Sequence, residues 1–204
     1  MFYDVGHSHR RPGQLSHDPF KALIAPRPLG WLRPLDAQGA ANLAPYSFFN
    51  AVCDTPKILM FSSAGIKDSA KNALDTGEFT FNFVSSGLTD GMNRSSQSFP
   101  HGVSEFEKAG LEQVPGQTVG CPRVKGVVAA LECKTLEPHQ PTTLAGEKAD
   151  YVLILGEVTG IFIDDAFIKD GRFDLAKADP IMRAGYRDYM GAGEMFELTR
   201  PDDQ

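Results

Sequence analysis

The sequence predicts a mainly β chain, folded as a closed or partly closed antiparallel barrel with a few short peripheral helices. Three observations carry this. The 20 glycines and 14 prolines are scattered as punctuation between short apolar runs, as in a β-rich protein with many turns. Roughly six or seven strand-like runs occur without the strand–helix alternation of a parallel sheet. Closing such a set into a barrel removes the exposed edges that an open sheet would leave.

The elements follow in order. Asp18-Pro19 opens a short helix over Phe20 to Ile24, because Asp can cap and Pro suits the first helical position. Pro26-Arg27-Pro28 ends it. Leu29 to Leu32 reads as a strand and Asp36 to Gly39 as its hairpin turn, with Ala41 to Asn50 as the return strand. Thr55-Pro56 bends the chain into the strand Lys57 to Phe61. A helix runs from about Asp68 to Asp75 and stops at Gly77. Glu78 to Val84 alternates, with Phe79, Phe81 and Phe83 on a core face and Thr80 and Asn82 on the other, the pattern of a half-buried strand. Ser85 to Gly116 is mostly loop and short helix. Val127 to Thr135 is a further strand. Tyr151 to Ile163 is a long strand, bent or bulged at Gly156 and Gly160.

With 204 residues and 42% hydrophobic content the chain can bury one sizeable core. No Gly/Ser or Pro-rich linker divides it, so residues 1–17 read as a polar arm and 18–204 as a single domain. A net charge of −6 argues against general binding to nucleic acid. No apolar stretch approaches the ~20 residues a membrane span requires, and Met1 to His7 lacks a charged-then-apolar leader pattern. Cys53, Cys121 and Cys133 are odd in number and form no C-x-x-C pair. They read as reduced thiols of a cytoplasmic protein. His7, His9 and His17 lie on the polar arm and read as solvated side chains rather than metal ligands.

Several chemistries lack their motifs. There is no G-x-x-x-x-G-K-[ST], no G-x-S-x-G and no H-E-x-x-H. The nearest approach to G-x-G-x-x-G is Gly191-Ala-Gly193-Glu-Met-Phe196, which lacks the third glycine.

Residues 42–72 are the informative stretch. The apolar run Ile58 to Phe61 leads into Ser62-Ser63-Ala-Gly-Ile-Lys67-Asp68-Ser69, the start of a helix. Hydroxyls, a cation and backbone N–H groups at a helix N-terminus are what a phosphate needs. Just upstream, Asn42-Leu-Ala44-Pro45-Tyr46-Ser47-Phe48-Phe49 offers aromatic rings for a planar ligand. Pro45 argues against full ladder pairing there, which leaves backbone groups for a ligand. The combination indicates a nucleotide-like cofactor, phosphate at one end and a flat ring at the other. The same helix start is also compatible with an ordinary N-cap and a surface lysine. Asp68 would repel a phosphate, so it is expected to cap backbone or pair with Lys67.

These residues carry a resemblance. Arg27-Pro-Leu-Gly-Trp31, Asp36-x-x-Gly39, Asn42 to Asn50, Phe61-Ser-Ser63, Lys67-Asp-Ser69, Asn72, Thr76-Gly-Glu-Phe79 and Asn82 resemble, in order, the flavin reductase-like, FMN-binding split-barrel family, which includes flavoredoxins and the reductase components of two-component monooxygenases. Met92-Asn93…Ser95, Ser104-Glu-Phe-Glu107, Gly156-Glu-Val158, Asp170-Gly-Arg172 and Pro180…Arg183…Gly185…Tyr189 extend it to nearly the whole chain after about residue 18. The resemblance implies a homodimeric split barrel with FMN near the subunit interface. It implies that Asn42, Ala44, Pro45, Tyr46, Ser47, Phe48 and Phe49 line the isoalloxazine and ribityl chain. It implies that Ser62, Ser63, Lys67, Ser69 and Asn72 hold the phosphate, with Arg183 and Tyr189 on the flavin or nicotinamide side. NAD(P)H is the implied reductant, and a monooxygenase or another acceptor takes the electrons. The hydride chemistry belongs to the cofactor, so no catalytic acid or base is assigned. The alternatives are an FMN electron carrier without nicotinamide oxidase activity, and a non-enzymatic FMN-binding dimer. One departure stands out: where family members commonly place Ser-Thr before the Asp-x-x-Gly turn, this chain has Arg33-Pro34. The usual polar contact on the flavin is then lost or replaced by an ionic one.

Overall fold

A computed structural model describes residues 1–5, 12–36, 38–39, 42–97 and 105–201. The readings made for His7, His9, Ala41 and Ser104 fall outside these. Seven strands form one antiparallel sheet: β1 (Gly30–Arg33), β2 (Ala44–Tyr46), β3 (Phe49–Asp54), β4 (Lys57–Ala64), β5 (Glu78–Asn82), β6 (Ala129–His139) and β7 (Tyr151–Ile163). Their order is β2-β1-β5-β6-β7-β4-β3.

That order fixes the shape. Seven flat strands would separate the outer two by roughly 29 Å. Yet the outer strands, β2 and β3, are joined only by Ser47 and Phe48, a link that spans at most roughly 11 Å. The sheet must therefore curl until its edges meet. The two edges do not pair with each other: β2 pairs with β1 and β3 with β4. The result is a barrel closed by the chain and split along a seam, the architecture expected from the sequence.

The single return strand expected over residues 41–50 is two strands. Phe48 already belongs to the far side of the seam, because its carbonyl accepts from Ser62 N at 2.8 Å. The barrel interior is a cluster of Leu32, Phe49, Leu59, Phe61, Phe79 and Ile154, closed over by Ala70 and Ala73 of helix α2 (Asp68–Thr76, after α1 at Phe20–Leu23). Gly77 ends α2 with φ 73°, a conformation that glycine adopts at no steric cost. At Gly30 a Cβ would meet the Phe49 ring at 2.5 Å, so only glycine lets β1 lie against that ring.

β5 departs from the half-buried reading. Thr80 and Asn82 are fully buried, because the 121–124 segment covers their face. Thr80 Oγ1 donates to Cys121 O at 2.7 Å; Asn82 donates to Trp31 O and accepts from Val124 N. The hydrogen bonds offset the desolvation of both polar groups. The expected irregularity of β7 is present: Glu132 pairs with Gly160 and Cys133 with Val158, so Thr159 is an extra residue beside Gly160. All three cysteines are unpaired thiols, two of them buried.

Arg33, the departure from the family pattern, turns into the interior and is 1% exposed. It donates to Pro122 O and Gln113 Oε1, and its guanidinium lies 4.3 Å from the Phe106 ring centroid. Burial pulls its pKa down to about 10. With these contacts Arg33 joins β1 to the covering loops.

Glu132 is the buried carboxylate of the barrel wall. It accepts from Gln117 N at 2.9 Å, Thr118 N at 2.6 Å and Thr118 Oγ1 at 2.7 Å. Burial alone would raise its pKa; the bonds from Thr118 and Gln117 outweigh it and hold the carboxyl below its ordinary value. A depressed carboxyl stabilises the fold above the unfolded pKa, and that contribution is lost as pH falls through the folded one. Glu132→Gln is expected to cost roughly 1.5–3 kcal/mol at pH 7. In urea unfolding, the gap to wild type should close below about pH 4; a gap independent of pH would refute the assignment.

Candidate functional site

The seam opens into a cleft of about 470 Å³, within the range of small-molecule sites. Asn42 and β2 (Ala44, Pro45, Tyr46) form one wall, the link residues Ser47 and Phe48 the floor of the seam, and Ser62, Ser63, Lys67 and Ser69 the other wall. The hydroxyl and lysine cluster and the aromatic stretch, 20 residues apart in sequence, thus share one cavity. They meet because the end of β4 and the N-terminus of α2 lie beside the split edge.

Local sequence explains each placement. β4 runs on through Ser62 and Ser63 to Ala64 rather than ending at Phe61, because β7 is long enough to pair with all of it: Ser62 opposes Leu153, Ser63 opposes Val152 and Ala64 opposes Tyr151. Ser63 is therefore a strand residue, 1% exposed, with its hydroxyl beside the Tyr46 phenol. Lys67 is the N-cap of α2, with extended backbone and no capping side chain. First-turn N–H groups of a helix lack internal acceptors. Ser69 Oγ donates to Asn42 Oδ1, tying the helix to the β2 wall.

Among the described residues Asp68 makes neither the expected backbone cap nor the expected ion pair with Lys67. It lines the cleft, and the ion pair of α2 is Lys71–Asp75. A carboxylate in the first turn is favoured by the helix dipole, which explains its tolerance there. Burial pushes the Tyr46 phenol above its ordinary pKa; the Ser69 and Ser63 hydroxyls oppose that rise and the Asp68 charge adds to it.

Two residues of the expected set lie elsewhere. Phe49 is in the core, stacked on Phe81 with centroids 4.9 Å apart and planes 7° apart. Asn72, a turn further along α2, is not a cleft residue, and its carbonyl accepts from Thr76 Oγ1. Lys21, Ser95, Ser96, Gln97 and Tyr151 complete the cleft; the sequence reading gave none of them a role. Ser95 holds its segment in place by accepting from the Trp31 indole N–H at 2.9 Å, so the Arg27–Trp31 motif supports the cleft from inside the core. The Tyr151 ring lies 5.9 Å from that of Phe48.

Arg183 and Tyr189 face each other across a hairpin, β8 (Ile181–Gly185) and β9 (Asp188–Gly191), which the sequence reading did not anticipate. The Arg183 guanidinium lies 4.4 Å from the Tyr189 ring centroid and donates to Tyr186 O. The pair lines a second cavity, which shares Lys21, Pro45, Ser47 and Ser96 with the first.

A split barrel with a nucleotide-sized cleft in its seam defines a class of flavin-binding folds. Residues 15–174 match the Flavin reductase like domain family, and the chain belongs to it. An uncharacterized protein of Aquifex aeolicus is 37% identical over 176 residues, spanning 83% of this chain and 86% of that one. Nitrilotriacetate monooxygenase component B from Bacillus cereus superposes with a TM-score of 0.84 at 26% identity, over 97% of this chain and 99% of the other. A Shewanella frigidimarina protein, assigned as a flavin reductase with a split barrel domain, shares the fold with a TM-score of 0.83 at 20% identity, over 98% and 99% of the two chains.

Proposed function

We propose that the seam cleft holds FMN, the cofactor of this family, and that the protein is an oxidoreductase taking hydride from NAD(P)H. The observation that carries the reading is the meeting of Ser62, Ser63, Lys67 and Ser69 in one cleft whose other wall is aromatic. A phosphate ester satisfies those donors; an uncharged ligand leaves Lys67 unused. Ser62, Ser63, Lys67 and Ser69 grip the phosphate. Pro45, Tyr46, Ser47 and Phe48 orient the ring system and exclude water from one side of it. When bound, FMN supplies the two-electron chemistry, and the chain needs no proton-transferring side chain of its own.

A monooxygenase component is the favoured electron acceptor, because a component B shares this fold over nearly its whole length. We further propose a homodimer, in which a second copy covers the open side of the cleft, and a cytoplasmic location on the three unpaired thiols. Among the described residues no helix is long and apolar enough to cross a membrane.

The test is the visible spectrum of FMN-loaded protein on anaerobic addition of NADH or NADPH. Bleaching within seconds supports the reductase. Bleaching by dithionite alone moves the assignment to an electron carrier. Failure to retain or bind FMN overturns the reading.

A further inference from the structure

Ser95, Ser96 and Gln97 line the cleft but are not part of the sheet. They follow helix α3 (Thr89–Arg94) in a cover laid over one face of β1 and β5. That face carries Trp31 and Arg33 of β1, two residues apart, and Asn82 of β5, directly opposite Trp31. All three are buried, and each holds the cover by a polar bond. Arg33 donates to Pro122 O and Gln113 Oε1, and Asn82 accepts from Val124 N. Trp31 holds the part that lines the cleft, its indole N–H donating to Ser95 Oγ at 2.9 Å.

Trp31 therefore serves two walls at once. Its backbone is paired opposite Pro45, so the indole and the Pro45 ring stand side by side on the same face of the sheet. The indole also packs in a second core cluster with Leu43, which flanks the β2 wall, and with Met92 of α3. The Ser95 hydroxyl is fully engaged, accepting from Trp31 and donating to Met92 O at 2.8 Å, so its proton is not free for a ligand. The backbone N–H groups of Ser95, Ser96 and Gln97 donate to Gly91, Asn93 and Arg94, within their own segment. What joins the segment to β1 is the bond from Trp31.

We propose that Trp31 is a positioning residue for the flavin: through Ser95 it fixes the gap between the Pro45 wall and the 95–97 wall, and with it the affinity of the cleft for the ring end of the cofactor. That role rests on the flavin reading. Fluorescence titrations with FMN and with riboflavin compare wild type, Trp31→Phe, Ser95→Ala and the double variant, each below its melting temperature. Each single variant is expected to bind about three- to tenfold more weakly, the effect of one hydrogen bond. The loss is the same for FMN and riboflavin, because the bond lies at Pro45, on the ring side of the cleft. The double variant loses no more than about twofold beyond the weaker-binding single variant, because both substitutions break one bond. Coupling is reciprocal, so a bond that favours the flavin is favoured by it. The chain has one tryptophan, hence one indole N–H resonance; its hydrogen exchange is expected to slow at least about threefold on saturation with FMN, more than that of the β6 and β7 amides, and to be fast in Ser95→Ala. Should Trp31→Phe fail to fold, Ser95→Ala and the indole proton decide. Variants that melt lower yet bind both flavins as wild type does make the bond merely structural and overturn the proposal. Additive losses, losses confined to FMN, or an indole proton indifferent to FMN overturn it as well, with the flavin reading left standing. A wild type that binds neither flavin overturns both.

Discussion

Phe49→Ala lowers the free energy of unfolding by roughly 3–5 kcal/mol. Phe49 opens β3, is 7% exposed, and stacks in parallel on Phe81 inside the barrel. Its ring fills the space that Gly30 leaves by having no side chain. Truncation removes the stack and opens a void beside Gly30, and β1 cannot move in without losing its pairing to β5. Urea unfolding measures the loss. Phe48→Ala, one residue earlier and lining the cleft, is expected to change stability by less than about 1 kcal/mol while weakening ligand binding. Similar losses for the two variants would contradict the assignment of one ring to the core and the next to the ligand.

FMN is expected to bind roughly ten- to a hundredfold tighter than riboflavin, because a charge-assisted contact contributes roughly 1.5–3 kcal/mol. Lys67→Ala removes most of that gap by weakening FMN and leaving riboflavin unchanged. The affinity of the wild type for FMN falls more steeply with salt than that of the variant. Lys67 makes no ion pair within α2 and no capping bond, so the apo forms should differ by less than about 0.5 kcal/mol in stability. Fluorescence titration with both flavins, and melting of both apo proteins, check this. An apo variant that melts well below wild type with FMN affinity intact makes Lys67 a structural residue.

The sequence carried the split barrel because its turn residues and strand spacing are local signals. It carried the cleft because Pro45 marks an edge strand and Lys67 follows a glycine loop, both readable without knowing what lies across the sheet. What it missed depends on distant partners. Thr80 and Asn82 look solvent-facing by alternation, and only the 121–124 segment, some 40 residues on, buries and satisfies them. Ser62 and Ser63 look like loop residues until the length of β7 is known. Tyr151 and Ser95 enter the cleft through register and through one indole hydrogen bond. Phe48 and Phe49 are chemically identical neighbours, one ending the link and lining the cleft, the other opening β3 and stacked in the core.

The seam also sets how the molecule breathes. Elsewhere around the barrel, separating two strands breaks a ladder of hydrogen bonds; between β2 and β3 it breaks none. The least costly excursion of the native state is therefore a widening at Ser47, well short of global unfolding. A planar ligand is expected to enter and leave through that widening, with an exchange rate that does not follow the stability of the fold. Amide protons near the seam should exchange quickly in the apo protein and slow on ligand binding, while those of β6 and β7 hold steady. The covalent chain at Ser47 and Phe48 acts as the clasp that keeps an unladdered barrel from coming apart.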